Sequence, residues 1–396
     1  MVKSVDGLFD ENLGRVEVDL SSRTQAKLLY AALEKAKSVH ELKINLNWET
    51  TYGDFKILRD SLRRTNVGVL EFAYRGTGPA SDIVNRNRRY DPIVQIMGHP
   101  SIQSFTMDSG QNDFLRRSSL EAANTNFPNL KRLAISGFIG DSGAQVLSEV
   151  LRTNSTLTTL DLGSNSIGES GAKALSELLK LNTTMMTLDL QRNAVGNSGA
   201  LEIVEALKTN STLTTLGLGS NSIGDSGAKA LSELLKLNTT MITLDLQSNA
   251  VGNSGALEIV EALKTNKTLS TLELRWNKTG YEGMLALLLV RKTIDMNLSD
   301  NSSTGKGVQA LSKALVTIST MTTLSLQNSS IGDNEAQVLA EALKTNKSLT
   351  TLDLQNNSIG DNGAQALAET LKTNSAPDHF ELARKLDWRP RSSGPG

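Results

Sequence analysis

The feature that most constrains this chain is an internal repeat. Residues 157–212 and 213–268 are identical at 51 of 56 positions, and each block consists of two 28-residue repeats. The repeat has the outline LxxLxLxxNxIGxxGAxxLxxxLxxNxx. A fixed period of this length is typical of solenoids, because one repeat cannot bury its own leucines and stacked neighbours form a continuous core.

The same outline recurs along most of the chain. Most successive starts are 27 or 28 residues apart, which predicts about 13 repeats. The first apolar position of each LxxLxL is Leu13, Val39, Val67, Ile102, Leu130, Leu157, Met185, Leu213, Met241, Leu269, Thr293, Met321 and Leu349.

The irregular repeats suggest how the chain is organised. A segment at 75–100 stretches one of the first four repeats to 35 residues, and the repeat that starts at Leu269 has only 24. We expect that short repeat to lack about one helical turn after Leu287. The predicted regions are an N-terminal cap segment, diverged repeats, regular repeats and a C-terminal tail, at 1–12, 13–129, 130–374 and 375–396. Within the tail, Asp378 to Trp388 is a candidate capping helix.

Each part of the repeat predicts a local structure. Leu160 and Leu162 alternate with polar residues, as in a short strand with one buried face. Asn165 can satisfy backbone groups where the chain turns, and Gly171 permits a close approach or a positive φ. A stretch with helical spacing follows, and we expect Asn182 to end it in a left-handed conformation. The sequence therefore predicts an α/β solenoid, a horseshoe with a parallel sheet on the concave face and helices on the convex face.

The 28-residue repeat with IGxxGAxxL resembles the ribonuclease-inhibitor subtype of leucine-rich repeats, over about residues 13–374. That subtype also forms the sensing region of NLR-type receptors and the core of Ran GTPase-activating proteins. The resemblance implies a leucine-rich-repeat scaffold that recognises a protein. Two departures bear on function. The chain has no cysteine, in which ribonuclease inhibitor is rich, and no GxxxxGK[ST] motif, which the nucleotide-binding module of NLR receptors carries.

Composition narrows the functional classes further. The net charge is −1, so no global field favours nucleic acid or an anionic membrane as a partner. The longest apolar run, Met284 to Val290, is too short to span a bilayer. Without cysteine there are no disulfides and no thiolate catalysis, and the first residues lack the apolar stretch of a signal peptide. We therefore predict a cytoplasmic chain.

The sequence offers no catalytic or metal-binding constellation. Its three histidines, His40, His99 and His379, lie far apart in the array, which argues against a shared metal site or a Ser/His/Asp triad. We predict no cofactor, no small-molecule substrate and no catalysis. Sequons such as Asn154-Ser155-Thr156 arise because the asparagine after each helix precedes Ser or Thr, and we do not expect them to be glycosylated.

On the predicted concave face, two positions of the repeat place similar side chains in rows across successive strands, which we call the Thr ladder and the acidic ladder. The second position after each repeat start is mostly Thr, and the fourth is often acidic. The ladders are explained either by β-propensity and solvation or by a mildly acidic groove that receives a basic partner. The acidic members are Asp161, Asp189, Asp245, Glu273 and Asp353.

Arg275 and Trp276 interrupt this regularity, because sibling repeats carry Gly-Ser or Gln-Ser there. Tryptophan and arginine are the residue types most enriched in binding hot spots. Trp276 either packs over the shortened helix or its turn, or anchors a partner. Trp48 and Tyr74, near comparable strand ends in diverged repeats, are further candidates.

We therefore predict a non-catalytic scaffold that binds a protein partner on its concave face near Trp276. Two alternatives remain open: a GTPase-activating regulator similar to Ran GTPase-activating proteins, and a purely structural spacer. In the segment at 75–100, Arg86, Arg88 and Arg89 are solvated, contacts for an acidic partner or contacts for nucleic acid.

Overall fold

The computed structural model describes residues 14–33, 35, 38–48, 52–63, 65–74, 95–108, 127–137, 139–280, 282–283, 286–287, 295–297, 312–313, 315–316, 323–373 and 381–382. The chain divides into two compact units, Met1–Leu216 and Gly217–Gly396.

The N-terminal unit alternates strands with helices. Each strand from β1 to β7 pairs in parallel with the next one, so the sheet runs without a break from the diverged into the regular repeats. The strands are β1 (Arg15–Leu20), β2 (Glu41–Leu46), β3 (Val69–Tyr74), β4 (Ser104–Asp108), β5 (Arg132–Ser136), β6 (Thr159–Asp161) and β7 (Thr187–Asp189). The helices are α1 (Arg23–Leu33), α2 (Tyr52–Leu62), α3 (Gly140–Leu151), α4 (Glu169–Leu181) and α5 (Gly196–Leu207). Strand β8 (Thr215–Gly217) lies at the unit boundary.

The C-terminal unit repeats this architecture. Its strands are β9 (Thr243–Asp245), β10 (Thr271–Glu273), β11 (Asp295–Asn297), β12 (Thr323–Ser325), β13 (Thr351–Asp353) and β14 (Glu381–Leu382), again paired in parallel. Its helices in the part of the chain described are α6 (Asp225–Leu237), α7 (Asn253–Thr265), α8 (Asp333–Thr345) and α9 (Asp361–Thr373). The predicted α/β solenoid is therefore confirmed for both units.

One element differs from the prediction at the C-terminus. Residues Glu381–Leu382, expected within a capping helix, form a strand in which Glu381 pairs with Thr351. The backbone of β13 pairs with one further strand, β14, which follows Pro377 in the chain. The described ranges thus hold fourteen strands, against about thirteen predicted repeats.

The register explains the leucine pattern. Leu160 and Leu162 are fully buried, whereas Thr159 and Asp161 on either side of Leu160 are only partly buried. Thr159 pairs with Thr187 and Asp161 with Asp189, so the Thr and acidic ladders lie in register on one sheet face. In the C-terminal unit, Asp245 pairs with Glu273 in the same way.

Asparagine side chains satisfy backbone groups at the turns, as predicted for Asn165. Asn165 donates from Nδ2 to the carbonyl oxygens of Ile135 and Gly163, at 2.6 and 3.1 Å. Oδ1 of Asn193 accepts the backbone N–H groups of Asn165 and Ile167, at 3.0 and 2.9 Å. Each amide therefore satisfies backbone groups of its own and the preceding repeat.

The second asparagine of the repeat acts differently from the prediction. Asn182 has φ −79° and ψ 129°, so it is extended and not left-handed. Its Oδ1 accepts the N–H groups of Thr184 and Met185, at 3.0 and 2.7 Å, and its Nδ2 donates to the Asn154 carbonyl, at 3.2 Å. An extended backbone places the amide where it can satisfy the connection between helix and strand.

A carboxylate from the preceding repeat caps three of the described helices, α4, α7 and α9. Asp141 Oδ1 accepts the N–H groups of Gly168 and Gly171, at 2.6 and 2.9 Å. A Cβ on Gly171 would lie 2.7 Å from that oxygen, so this glycine is needed for close approach and not for a positive φ. In the C-terminal unit Asp225 and Asp333 make the equivalent bonds.

Several expectations lie outside the described residues. These are the cap segment 1–12, Arg86, Arg88 and Arg89, the missing turn after Leu287 and most of the tail. Within the segment at 75–100, Gln95–Met97 are helical, and Ile96 and Met97 are buried.

Candidate functional site

The structure distributes the candidate residues over both units. Each unit holds some of the candidate residues on or beside its own sheet face. The N-terminal unit contains Trp48, Tyr74, Asp161 and Asp189, and the C-terminal unit contains Asp245, Glu273, Arg275, Trp276 and Asp353.

Trp276 follows β10 in a left-handed conformation, with φ +55°. The same repeat position is left-handed in its siblings, where the side chains are mostly small or polar: Ser164, Arg192, Ser220, Ser248, Asn328 and Asn356. A bulky residue is disfavoured in this region, whereas asparagine tolerates it. Nevertheless Trp276 occupies it with 47% of its surface exposed.

A hydrogen-bond relay holds Arg275 against this ring. The guanidinium carbon lies 4.6 Å from the centroid of the Trp276 ring, within cation–π distance. Arg275 Nε donates to Gln247 Oε1 at 2.6 Å, and Gln247 Nε2 donates to Asp245 Oδ2 at 3.0 Å. The relay of Asp245, Gln247 and Arg275 therefore fixes the orientation of the guanidinium group before any partner arrives.

The outer edge of the guanidinium remains available. Among the residues that the structure describes, Gln247 is the only hydrogen-bond acceptor of Arg275, and it uses Nε alone. Nη1 and Nη2 therefore keep their donor capacity.

Asp245 is only partly accessible to solvent. Burial raises the pKa of this carboxyl above 3.8, although hydrogen bonds from Gln247 and the charge of Arg275 act in the opposite direction. The carboxylate is thus poorly solvated, unlike a member of a fully hydrated acidic ladder.

The aspartates of the acidic ladder share a local role that the sequence did not reveal. In each case Oδ1 accepts the backbone N–H of the residue two positions later, at 2.8 to 3.1 Å. Asp161 also lies 3.6 Å from Arg132 Nη2. This geometry favours the structural explanation of the acidic ladder over a groove built for a basic partner. The four aspartates are Asp161, Asp189, Asp245 and Asp353.

Trp48 and Tyr74 lie at neighbouring strand ends in the N-terminal unit. Tyr74 ends β3 opposite Leu46 of β2, and Trp48 follows two residues later. The indole Nε1 of Trp48 is buried without a hydrogen-bond acceptor in the described ranges. Both side chains are partly buried, so they expose less apolar surface than Trp276 does.

A polar cleft of about 610 Å³ lies at the opposite ends of these strands. Its lining includes His40, Gln103 and Ser101. Ser101 Oγ donates to the Val67 carbonyl and lies 2.7 Å from His99 Nδ1. Burial, followed by the charge of Arg63, lowers the pKa of His99. No group of three His, Asp or Glu residues within the described part of the chain could hold a metal ion.

Exposed apolar residues between helix and strand were missed by the sequence analysis. Leu181 and Met186 in the N-terminal unit are 52% and 54% exposed, where most sibling repeats have Thr or Ser and one has Leu237 and Ile242. Leu181 and Leu178 also line a groove of about 290 Å³ between α3 and α4. The signal was present in the alternation of Thr-Asn with Leu-Asn after successive helices. None of the described helices is long and apolar enough to cross a membrane.

Comparison with known proteins supports the fold. A family model described as Leucine Rich repeat matches residues 153–176, 181–204, 209–232, 237–260, 265–288 and 345–368. No curated protein sequence matches the chain.

Solved structures give the same result. Rad7, in a complex with Elc1 from yeast, is 17% identical, with a TM-score of 0.50 over 86% of each chain. An internalin of Listeria monocytogenes is 16% identical, with a TM-score of 0.43 over 96% of this chain and 89% of its own. At this level of identity the likeness to Rad7 concerns the fold alone, and the internalin adds no argument. The six matched segments are therefore leucine-rich repeats, and they are part of an α/β solenoid.

Proposed function

We propose that this chain is a non-catalytic recognition scaffold that binds a protein partner at the rim of the sheet face in the C-terminal unit. Arg275 and Trp276 are its anchor, and Asp245 and Gln247 position them. The role is similar to that of the sensing regions of NLR-type receptors, with a reducing, cytoplasmic setting supported by the absence of cysteine.

One observation carries this proposal. A half-exposed tryptophan occupies a left-handed position that sibling repeats fill mainly with serine or asparagine. Local folding alone does not favour tryptophan there. Its ring and the guanidinium group 4.6 Å from the ring centroid combine the two residue types most enriched in binding hot spots. The Rad7–Elc1 complex is an example of a protein with this fold in a protein assembly.

The experiment compares capture of partners by the full chain and by Trp276→Asn. Asparagine occupies the same position at Asn328 and Asn356, so this variant retains a residue suited to the backbone. We expect a specific protein to be captured by the original chain and lost with Trp276→Asn. A matched control, Asn356→Ala, should retain it.

Two readouts separate binding from folding. Melting temperature should not fall in Trp276→Asn, and the dissociation constant of the isolated partner should rise by ~30-fold or more, which corresponds to about 2 kcal/mol. An unchanged dissociation constant would show that Trp276 is not the anchor. GTP hydrolysis stimulated by the chain would instead favour a GTPase-activating regulator.

A further inference from the structure

We propose that Arg275 and Trp276 recognise an acidic side chain, Asp or Glu, that stands beside a large apolar side chain in an exposed segment of the partner. This inference rests on the proposed function and names the ligand chemistry of the same site.

The first argument is the presentation of the guanidinium group. Gln247 accepts from Nε at 2.6 Å, and the guanidinium carbon lies over the indole ring, 4.6 Å from its centroid. No described residue accepts from Nη1 or Nη2, so these are the donors of Arg275 that remain for a partner. Two parallel N–H donors in a fixed plane match the two oxygens of a carboxylate, and such bidentate pairs are stronger and more specific than neutral hydrogen bonds.

The second argument is the apolar surface beside that edge. Trp276 leaves 47% of its surface exposed, and an apolar side chain of the partner would remove this area from water. Because residues 275 and 276 are consecutive, the carboxylate and the apolar group must also be close together in the partner. A segment with an acidic residue adjacent to Leu, Phe or Trp meets this requirement.

The third argument concerns the charges around the site. The nearby carboxylate of Asp245 already accepts two hydrogen bonds from Gln247, at 2.8 and 3.0 Å. A basic partner would compete with these bonds and meet the positive charge of Arg275, whereas an acidic side chain finds unused donors.

The test is a selection of random twelve-residue peptides on the full chain, with removal of those that also bind Trp276→Asn. We expect the survivors to carry Asp or Glu next to a large apolar residue. For a synthetic survivor, replacing the carboxylate by its amide should weaken binding by about tenfold. Arg275→Lys keeps the charge but loses the planar fork, and should weaken binding by a similar factor.

Controls and outcomes are distinct. Gln355→Ala and Asn356→Ala, at the equivalent positions of a later repeat, should leave affinity unchanged. Survivors rich in Lys or Arg, or equal affinity for the acid and amide peptides, would overturn this inference while leaving Trp276 as an anchor. A complete absence of Trp276-dependent peptides would overturn both the inference and the proposed site.

Discussion

At the scale of single residues, conformational strain and exposure mark Trp276 more clearly than its residue type does. The sequence placed Arg275 and Trp276 among the candidates because sibling repeats differ there. It could not reveal the positive φ, since Ser, Arg and Asn occupy the position in other repeats without an obvious pattern. The sequence analysis also missed the hydrogen bonds by which Gln247 joins Asp245 to Arg275. A glutamine in the preceding repeat has the residue type of an ordinary surface position.

Trp276→Asn should stabilise the folded chain. The substitution removes a bulky residue from a left-handed backbone and supplies one that tolerates it, so we expect the free energy of unfolding to rise by about 1 kcal/mol. Chemical denaturation monitored by circular dichroism measures this change. The reverse exchange, Asn356→Trp, is a matched control that should lower stability. A clear loss of stability in Trp276→Asn would instead show that the ring packs as a structural element.

Asp245→Asn should change the pH dependence of stability. Burial raises the folded-state pKa of Asp245 above 3.8, so its protonated form is favoured by folding. The associated stabilisation is complete below pH 3.8 and is lost as pH rises through the folded-state pKa. The variant lacks this titration. Its stability relative to the original chain should therefore improve as the pH rises from about 3.5 to about 7.

Denaturation at both pH values measures that difference, and Asp353→Asn is the positional control. Parallel pH profiles for Asp245→Asn and the original chain would contradict the assigned shift, even if the substitution changes absolute stability by removing a hydrogen bond.

At the scale of helices and strands, the repeat pattern predicted the elements but not all of their contacts. Leucine spacing correctly identified the buried positions of β6, since a period of two allows only one buried face. The left-handed cap at Asn182 was wrong because an extended asparagine can satisfy three backbone groups of the connection. The sequence of a single repeat could not predict the cap that Asp141 provides. Its carboxylate accepts from backbone N–H groups that lie 27 and 30 residues later in the chain.

Asp141→Ala should destabilise the N-terminal unit by about 2 kcal/mol, because two helix N-terminal N–H groups lose a charged acceptor. Glu169, the acidic residue that begins the next helix, is exposed. Glu169→Ala is therefore a matched control with an expected change within about 0.5 kcal/mol. Asp141→Asn retains the accepting oxygen and should fall between the two. Denaturation curves of the three variants test this order, and equal effects of Asp141→Ala and Glu169→Ala would refute the proposed cap.

At the scale of the whole chain, repetition made the fold predictable and the function difficult to read. About thirteen repeats predict the same strand and the same register. A repeat whose own sequence is ambiguous can therefore be assigned from its neighbours. The same monotony hides binding residues, because most sheet-face positions are Thr or Asp, and the aspartates accept local backbone hydrogen bonds. Departures from the repeat are therefore the positions at which we look for function, and Arg275 with Trp276 is the departure on which the proposed function rests.

The buried asparagines also predict how the chain behaves in the secretory pathway of a cell that glycosylates asparagine. A glycan on a ladder asparagine would replace an Nδ2 hydrogen that donates to a backbone carbonyl, in a site too enclosed for a sugar. We expect the folded fraction of a secreted form to carry glycans at Asn328 or Asn356, which are exposed, and none at the buried sequons. Site-by-site mass spectrometry of the protease-resistant fraction measures this, with chain produced without glycosylation as the control. A glycan within that fraction on any of the buried sequon asparagines would contradict the ladder. These asparagines are at most 8% exposed: Asn154, Asn182, Asn210, Asn266, Asn277 and Asn346.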